Sequence, residues 1–357
     1  MDRVVIFGST SEELHIGCKA LIQGLEGLIK ERFEKNVIIQ HISHRFLSNY
    51  FYESLLGVKI ERSGFFSKKE YSLQVEKSYS NWEQAYYSMF KKDVFLKLTF
   101  DHTDIVIINV EGTIHHQAIL GLQLLAIGKM ACDLGKDVYW VNFSTQSENK
   151  AILKSALWGA KRIAVREIRS YSYLKSLGIN AIQSFDTAVL APFNNITYKL
   201  TVLENNEYCL FTGSNIKKYD LLKIAEEINI KGFVPLYIPM GLNDFKDFTE
   251  LKKSNILSLD FSQVNLSQLI YLIKNSKFVI SGRHHLNIFS LMAEKPFIPL
   301  ESNTWKIAGV CELLDIQPKF NMDLSDKIDD IIIYHHTYRK NLESKIHKSK
   351  ELAKLNF

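Results

Sequence analysis

Residues 278–285 read Phe-Val-Ile-Ser-Gly-Arg-His-His, an apolar run that ends in a glycine, an arginine and two histidines. The apolar part predicts a buried strand, and the pattern from His285 to Ala293 predicts a helix directly after it. A strand that passes into a helix through a glycine turn is typical of the crossover units of parallel sheets. This stretch therefore predicts an α/β fold with polar side chains at the carboxyl end of a strand.

The same alternation of strand and helix patterns extends along the whole chain, and a composition shift around Pro192 and residues 204–207 separates two halves. We predict two Rossmann-like doubly wound domains, residues 1–198 and 199–357, with the site in a cleft between them. Residues 41–81 fit the alternation poorly and are predicted to be an insertion in the first domain. The predicted strands cover 4–7, 37–40, 104–110, 137–142, 162–165, 181–184, 208–212, 234–238, 256–259, 278–281 and 297–300.

Composition indicates an ordinary globular protein, because 46% of the 357 residues are hydrophobic and 23% are charged. We expect a soluble, cytoplasmic chain, since no uncharged apolar run approaches the length of a membrane helix. The formal net charge is +5, and lysines and arginines concentrate in a predicted last helix, residues 328–354. We expect a solvated helix face and no nucleic acid partner, while peripheral contact with an anionic membrane surface stays open, as does the oligomeric state.

Several cofactor and catalytic motifs are missing from the sequence. The glycines after the first strand do not form Gly-x-Gly-x-x-Gly or a P-loop, and there is no His-Glu-x-x-His, Asp-x-Asp or Gly-x-Ser-x-Gly. The four cysteines lack the spacing of a disulfide framework or a zinc site. We therefore expect no nucleotide cofactor and no metal ion.

The strongest candidate site in the second half is Ser281, Gly282, Arg283 and His285. A helix start attracts an anion, the arginine fork matches a carboxylate or phosphate, and a histidine can exchange a proton near neutral pH. The alternative is that Arg283 only pairs with an acidic neighbour. Lys306 is a further candidate anion ligand, in a helix that Ser302, Asn303 or Thr304 is expected to cap.

In the first half, Glu111 follows the strand 104–110 through a glycine turn and is a candidate base or hydroxyl ligand. His15 and Gly17 belong to the turn after the first strand and are weaker candidates. Arg166 ends a predicted strand and could supply a second anion fork that Asp186 orients. For Asp186, a structural role in a buried pair with Arg166 is the favoured interpretation.

These segments, in this order, resemble the polysaccharide pyruvyl transferase family. The resemblance covers about residues 4–315, through His15-Ile16-Gly17-Cys18, Glu111-Gly112-Thr113, the run from Arg166 to Ser170 with Asp186, and Ser281-Gly282-Arg283-His284-His285. Cys18 and Glu167 stand where the family usually has aspartate. The resemblance implies a two-domain enzyme similar to GT-B glycosyltransferases, with phosphoenolpyruvate contacted by Arg283 and His285 and helped by Arg166.

The resemblance implies transfer of a pyruvyl group from phosphoenolpyruvate, as co-substrate, to a sugar hydroxyl as a ketal in cell-surface polysaccharide synthesis. The residues fit this chemistry, with Arg283, Arg166 and Lys306 as cations, His285 as acid and Glu111 as base. The acceptor sugar is expected to be lipid-linked or polymer-bound. Two alternatives stay open: a GT-B glycosyltransferase that uses a nucleotide sugar, and a non-catalytic module that binds an anionic glycan.

Overall fold

The computed structural model describes residues 2–33, 37–57, 78–115, 118–198, 200, 203, 206–216, 218–241, 244–260, 262 and 264–357. Contacts between residues divide the chain into two compact units. Unit 1 contains Met1–Glu12, Glu26–Phe185 and Lys354–Phe357, and unit 2 contains Glu13–Leu25 and Asp186–Ala353. The domain boundary near residue 200 and the cleft between domains stay predictions.

Unit 1 is built on a parallel sheet of six strands, which confirms the predicted α/β class. The strands are β1 Asp2–Ser9, β2 Val37–Ser43, β3 Ile105–Asn109, β5 Asp137–Phe143, β7 Arg162–Val165 and β8 Ile182–Gln183, in the order β2-β1-β3-β5-β7-β8. A second, two-stranded parallel sheet joins β4 Ile114–His115 to β6 Thr145–Gln146. The central strand β3 is buried along its whole length, as expected for a parallel strand that is covered on both faces.

The helices that belong to unit 1 are α2 Asn49–Leu56, α3 Tyr79–Lys92, α4 Val94–Asp101, α5 Ile119–Asp133, α6 Lys150–Leu157 and α7 Ile168–Ser176. The sequence pattern of residues 82–96 predicts a single helix. The structure has two helices there, because Asp93 ends α3 and its carboxylate accepts a hydrogen bond from the Leu96 backbone amide (3.1 Å), so that it caps α4. The predicted insertion contains α2, and its residues 58–77 lie outside the described residues. The core of the unit includes Trp82, Phe100 and Trp140.

Helix α1, Ile16–Arg32, follows β1, and its first ten residues belong to unit 2 while the remainder belong to unit 1. Unit 2 has its own parallel sheet, in the order β11-β10-β9-β12-β13, from strands β9 Tyr208–Ser214, β10 Val234–Tyr237, β11 Leu257–Ser258, β12 Val279–Gly282 and β13 Phe297–Pro299. Its other helices are α8 Leu221–Ile230, α9 Phe245–Lys253, α10 Leu266–Asn275, α11 His284–Met292, α12 Lys306–Leu313, α13 Leu324–Ile333 and α14 His335–Lys354. The core of this unit includes Phe211, Tyr237 and Phe278.

The structure divides residues 328–354, predicted as one basic helix, between α13 and α14. Two lysines of α14 are engaged with the end of α12: the ammonium of Lys345 donates to the carbonyls of Leu314 and Asp315, and that of Lys348 donates to the carbonyl of Leu313 at 2.7 Å. Lysines often bind the free carbonyls at a helix C-terminus in this way. Part of the positive charge of α14 therefore stabilises the fold of unit 2.

Among the described residues, the structure contains no helix that is both long enough and apolar enough to cross a bilayer.

Candidate active site

Among the described strands, the larger sheet of each unit has one topological switch point, where successive strands begin to be added on the opposite side. In unit 1 this point lies between β1 and β3, and in unit 2 it lies between β9 and β12. Loops separate at the carboxyl ends of such strand pairs and leave a crevice, which is the usual ligand site of doubly wound sheets. The predicted residues Glu111 and Arg283 follow β3 and β12, so each lies at the switch point of its own unit.

At the switch point of unit 2, the guanidinium of Arg283 is held by two side chains. One terminal nitrogen bonds the side-chain oxygen of Asn215, which follows β9, and the other bonds the carboxylate of Asp244. Asp244 is itself fixed, since its second oxygen accepts a hydrogen bond from the Met240 backbone amide (2.9 Å). The acidic neighbour that the alternative interpretation required is present, and it also orients the arginine across the switch point.

Ser281 and Gly282 shape the backbone that carries Arg283. The Ser281 hydroxyl accepts a hydrogen bond from the Arg283 amide (2.9 Å) and donates one to the Arg283 carbonyl (3.0 Å), so it is a backbone clamp. Gly282 lies against Ser214 of β9 so closely that any Cβ would overlap it. Ser281 and Gly282 therefore position the arginine, and their predicted contact with an anion stays a prediction.

His15 caps helix α1 with its own ring, because its Nδ1 accepts hydrogen bonds from the backbone amides of Gly17 (3.1 Å) and Cys18 (3.4 Å). This arrangement leaves the proton on Nε2. Burial is the largest cause that lowers the pKa of His15, to about 4, and the charges of Arg283 and Lys306 lower it further. His15 is therefore a neutral donor at pH 7 and lies in the field of both predicted anion ligands.

Gly17 is required by the packing of His285. A Cβ at position 17 would overlap the His285 ring, so only glycine lets the start of α1 come this close. The His285 ring also lies edge-on to the His15 ring, with centroids 5.6 Å apart, and stacks on Phe289. His15, Gly17 and His285, which are predicted from separate segments of the sequence, therefore contact one another within unit 2.

Asp186 binds the histidine pair that follows Arg283. Its carboxylate lies 3.0 Å from Nε2 of His284 and 3.8 Å from Nε2 of His285, and it is fully buried. It also accepts a hydrogen bond from the Ala188 amide (2.9 Å). Asp186 thus supplies the negative charge beside both imidazoles, and its predicted partnership with Arg166 stays a prediction.

Lys306 is the first residue of α12 and is partly buried. The predicted capping of this helix by Ser302, Asn303 or Thr304 is wrong, because the helix begins at Lys306 and its N-cap is Trp305, without a side-chain cap bond. The Asn303 side chain instead contacts the side chain of Asn215, at 3.5 Å, which in turn bonds Arg283. Asn303 is therefore connected to the arginine through one amide.

Two overlapping groups in unit 2 have the side-chain types of metal ligands. They are His15, Cys18 and His285, and Asp186, His284 and His285, with possible ligand atoms within 4.8 Å of one another in each group. The first group has a competing use, since Nδ1 of His15 caps α1. Arg283 and Lys306 also place positive charge near it, which disfavours a cation. That no metal takes part stays a prediction.

At the switch point of unit 1, Glu111 has an unusual backbone conformation, with φ of 51° in the left-handed region. A non-glycine residue in this region is held there by its surroundings and often belongs to a functional site. The carboxylate accepts hydrogen bonds from the Thr10 hydroxyl (2.8 Å) and from the Asn109 amide (3.3 Å). The side chain is only partly buried, so it is oriented and reachable.

Asn109 is linked by hydrogen bonds to two further asparagines, Asn142 and Asn356. The Asn142 side chain donates to the Asn109 side-chain oxygen (3.0 Å), and the Asn142 backbone amide donates to the side-chain oxygen of Asn356 (3.0 Å). Asn356 is fully buried and donates to the Phe185 carbonyl (3.0 Å). The last residues of the chain thus connect to Glu111 through three asparagines.

Arg166 follows β7 in unit 1 and is buried. The next residue, Glu167, accepts hydrogen bonds from the backbone amides of Arg169 (2.8 Å) and Ser170 (3.0 Å), so it caps α7. Burial raises the pKa of Glu167, and its hydrogen bonds and the charge of Arg166 oppose that shift. Glu167 therefore caps the start of α7.

The sequence did not single out Asp244, Asn215, Asn142 or Asn356. Asn215 and Asp244 carry a usable signal, since a polar residue that follows a strand lies near the carboxyl edge of a sheet. Asn356 carries none, because it is 214 residues from the Asn142 amide to which it binds.

The family model for polysaccharide pyruvyl transferase matches residues 15–304, which is most of the chain and includes Glu111 and Arg283. No curated protein matches the sequence.

Solved structures show the fold. A Listeria monocytogenes protein assigned as a UDP-N-acetylglucosamine 2-epimerase has a TM-score of 0.59 at 12% identity, covering 96% of this chain and 90% of its own. MnaA of S. aureus in complex with UDP has a TM-score of 0.57 at 12% identity, covering 96% and 91%. UDP-GlcNAc 2-epimerase of Neisseria meningitidis bound to UDP-GlcNAc has a TM-score of 0.56 at 14% identity, covering 99% and 97%.

These neighbours have the GT-B fold, which confirms the predicted fold class. At such low identity their likeness extends to the fold alone, whereas the family model rests on the sequence itself. The chain therefore belongs to the polysaccharide pyruvyl transferase family of transferases.

Proposed function

We propose that this protein transfers a pyruvyl group from phosphoenolpyruvate to two hydroxyls of a sugar as a ketal, in the synthesis of a cell-surface polysaccharide in the cytoplasm. The observation that carries the proposal is the oriented guanidinium of Arg283 at the switch point of unit 2. Lys306 lies near the same site, since the charges of Arg283 and Lys306 both lower the pKa of His15. Phosphoenolpyruvate carries a carboxylate and a phosphate, and both match cationic ligands of this kind. The family membership supports the same donor class.

In this proposal His285 is the general acid. Protonation of the methylene carbon of phosphoenolpyruvate makes the neighbouring carbon electrophilic, and the first sugar hydroxyl adds there. Asp186 lies 3.8 Å from Nε2 of His285 and supplies the negative charge that balances a protonated ring. His15, neutral at pH 7 because its pKa is lowered to about 4, offers a hydrogen-bond donor to the phosphate without taking the proton.

Glu111 is the proposed base that accepts the proton of the attacking hydroxyl. Its hydrogen bonds from the neutral side chains of Thr10 and Asn109 orient the carboxylate. The proton taken from the first hydroxyl balances the one given to the methylene. Phosphate then leaves, the second hydroxyl closes the ketal, and its proton departs with the phosphate.

The test is a thermal-denaturation titration with phosphoenolpyruvate and, in parallel, with UDP and nucleotide sugars. A ligand that binds only the folded state stabilises it by about 2.7 kcal/mol at a hundredfold excess over its Kd. We expect phosphoenolpyruvate to stabilise the wild type and not Arg283→Gln, while Arg32→Gln, an exposed arginine at the end of α1, behaves like the wild type. Stabilisation by a nucleotide alone contradicts the proposed donor and favours a nucleotide-sugar transferase.

A second measurement separates an enzyme from a binding module. Phosphate release from phosphoenolpyruvate is followed with a panel of sugar acceptors, before and after removal of divalent ions with a chelator. We expect release that depends on the acceptor and survives chelation. Binding of phosphoenolpyruvate without release with any acceptor would favour the non-catalytic module, and loss of activity with the chelator would assign a metal to the histidine groups.

A further inference from the structure

The start of α4 exposes three apolar side chains to solvent. Val94, Phe95 and Leu98 are 64%, 49% and 54% exposed, whereas Leu96 and Phe100 of the same helix are buried in the core of unit 1. When a helix has two apolar faces, removing the second face from water also lowers the free energy. Among the described residues nothing covers these three side chains to the extent that the core covers Leu96 and Phe100.

Positively charged side chains lie at the start of this apolar face. Lys91 and Lys92 are exposed at the end of α3, and Lys97 lies against them, since its ammonium donates to the Lys91 carbonyl (3.0 Å). Asp93, the acidic residue of this stretch, is buried and is used to cap α4 and to bind Ser48 (2.5 Å). The exposed charge of residues 91–98 is therefore positive.

On the other flank, the Phe95 ring packs against Phe46, with centroids 5.3 Å apart, and exposed Arg45 precedes Phe46. Asp101, the exposed acid of α4, is at the last position of the helix, almost two turns from Phe95 and three residues after Leu98, so the negative charge lies at the far end of this face. We call Lys91, Lys92, Val94, Phe95 and Leu98 the α4 patch.

The α4 patch lies at the carboxyl edge of the unit 1 sheet. Helix α4 leads into the amino end of β3, so its own start lies toward the other end of that strand. The hydrogen bond from Ser48 to Asp93 agrees, because Ser48 begins α2 just after β2 has reached the carboxyl edge. Glu111 follows β3 at this same edge.

We propose that the α4 patch docks unit 1 onto the surface of an anionic lipid bilayer. Apolar side chains flanked by lysines match the boundary of an anionic bilayer, because the apolar side chains can enter the acyl region while the lysines contact the headgroups. This role of the docking rests on the proposed function: it brings the sheet edge that carries Glu111 close to an acceptor that is attached to a lipid. The docking itself does not depend on which donor the enzyme uses.

The experiment is co-sedimentation of the full chain with vesicles of phosphatidylcholine alone and of equimolar phosphatidylcholine and phosphatidylglycerol. We expect binding to the anionic vesicles that weakens as salt is raised. Removing two charges with Lys91→Gln and Lys92→Gln should reduce the partition coefficient about 25-fold, since each lysine near the surface contributes about fivefold. Phe95→Ser with Leu98→Ser should reduce it at least about tenfold.

Trp158→Ser is the matched control, because this tryptophan is 82% exposed and follows α6 in the same unit, outside the patch. It should bind vesicles like the wild type, as should Lys350→Gln in α14. Equal loss in the Trp158 or Lys350 variant moves the docking surface elsewhere and overturns the proposal, and so does equal binding to both vesicle types. Self-association that Phe95→Ser abolishes, without vesicle binding, assigns the patch to a second copy of the chain.

Sedimentation needs no turnover, so its outcome is independent of the phosphate-release assay. Vesicle binding by a chain that does not respond to phosphoenolpyruvate would retain the docking surface and reject the proposed reaction. Turnover with a water-soluble acceptor, without vesicle binding, would do the reverse.

Discussion

The two switch points occupy the same topological position in two similar sheets, yet they hold opposite charges. In unit 1 the carboxylate of Glu111 is held by a hydroxyl and an amide, both neutral. In unit 2 the guanidinium of Arg283 is held by a carboxylate and an amide, and Lys306 adds a second cation to its surroundings. The fold fixes where a ligand can bind, and the side chains at the strand ends decide which ligand that is.

The hydrogen-bond partners of Glu111 and Arg283 differ for a physical reason. A base must be held in a fixed orientation, and the neutral side chains of Thr10 and Asn109 hold the Glu111 carboxylate. An anion-binding arginine that is mostly buried needs a counter-charge when no ligand is bound, and Asp244 provides it. The difference suits an acceptor on unit 1 and an anionic donor on unit 2. Variants at Arg283, Glu111 and Asn356 test that assignment, and a variant at His15 tests the protonation state of the buried imidazole in unit 2.

The largest effect is expected from Arg283→Gln. Loss of a cation that is oriented toward the phosphate or carboxylate should lower kcat/KM for phosphoenolpyruvate about a thousandfold. Phosphate release under limiting donor measures it, and thermal denaturation without ligand checks that the variant folds. A folded variant with unchanged kcat/KM would show that the Arg283–Asp244 pair is structural only.

Glu111→Gln should distinguish most clearly the role of unit 1 in catalysis from the role of unit 2 in donor binding. The amide keeps the shape and a hydrogen-bond acceptor for Thr10 but cannot take a proton, so kcat should fall on the order of a hundredfold or more. Stabilisation by phosphoenolpyruvate should be unchanged, because the donor binds at unit 2. An equal loss of donor binding would contradict the division of roles.

His15→Asn tests the buried imidazole of unit 2 through pH. The pKa of His15 is about 4 in the folded chain against 6.5 when unfolded, so the unfolded state takes up a proton first as the pH falls. The stability contribution of the neutral ring is complete above pH 6.5 and is lost between there and pH 4.

Between pH 7 and pH 5 the wild type should therefore lose up to about 2 kcal/mol more than the variant, whose asparagine still caps α1. Urea unfolding at the two pH values measures the difference. The same loss in both proteins would mean that the His15 ring is accessible to protons in the folded state.

The smallest effect is expected from Asn356→Ala, which removes the far end of the amide chain behind Glu111. The carboxylate should lose orientation, with kcat reduced about tenfold and donor binding unchanged, which corresponds to one hydrogen bond. Asn356→Asp retains the acceptor for the Asn142 amide and should recover part of the rate. Leu355→Ala, an exposed neighbour, is the control, and an equal loss there would indicate general damage to the C-terminus.

Local signals predicted the strand ends well. Strand β7 was predicted at the residues that form it, and the segment 278–285 forms β12 and the start of α11, with Arg283 between them. Such predictions work because apolar runs and glycine turns act through neighbouring residues. The predicted helix over 82–96 failed at Asp93, since a capping aspartate can sit inside a continuous helical pattern.

The sequence by itself determined the α/β class, the family, and the placement of Glu111 and Arg283 at strand ends, because each depends on short-range patterns that the chain carries in order. Only the tertiary structure decided what holds those side chains: Asp244 on Arg283, Asp186 on the histidines, Gly17 against the His285 ring, and Asn356 behind Glu111. These partners are far apart in sequence and meet because separate strands end at one edge of a sheet, which a one-dimensional pattern does not encode.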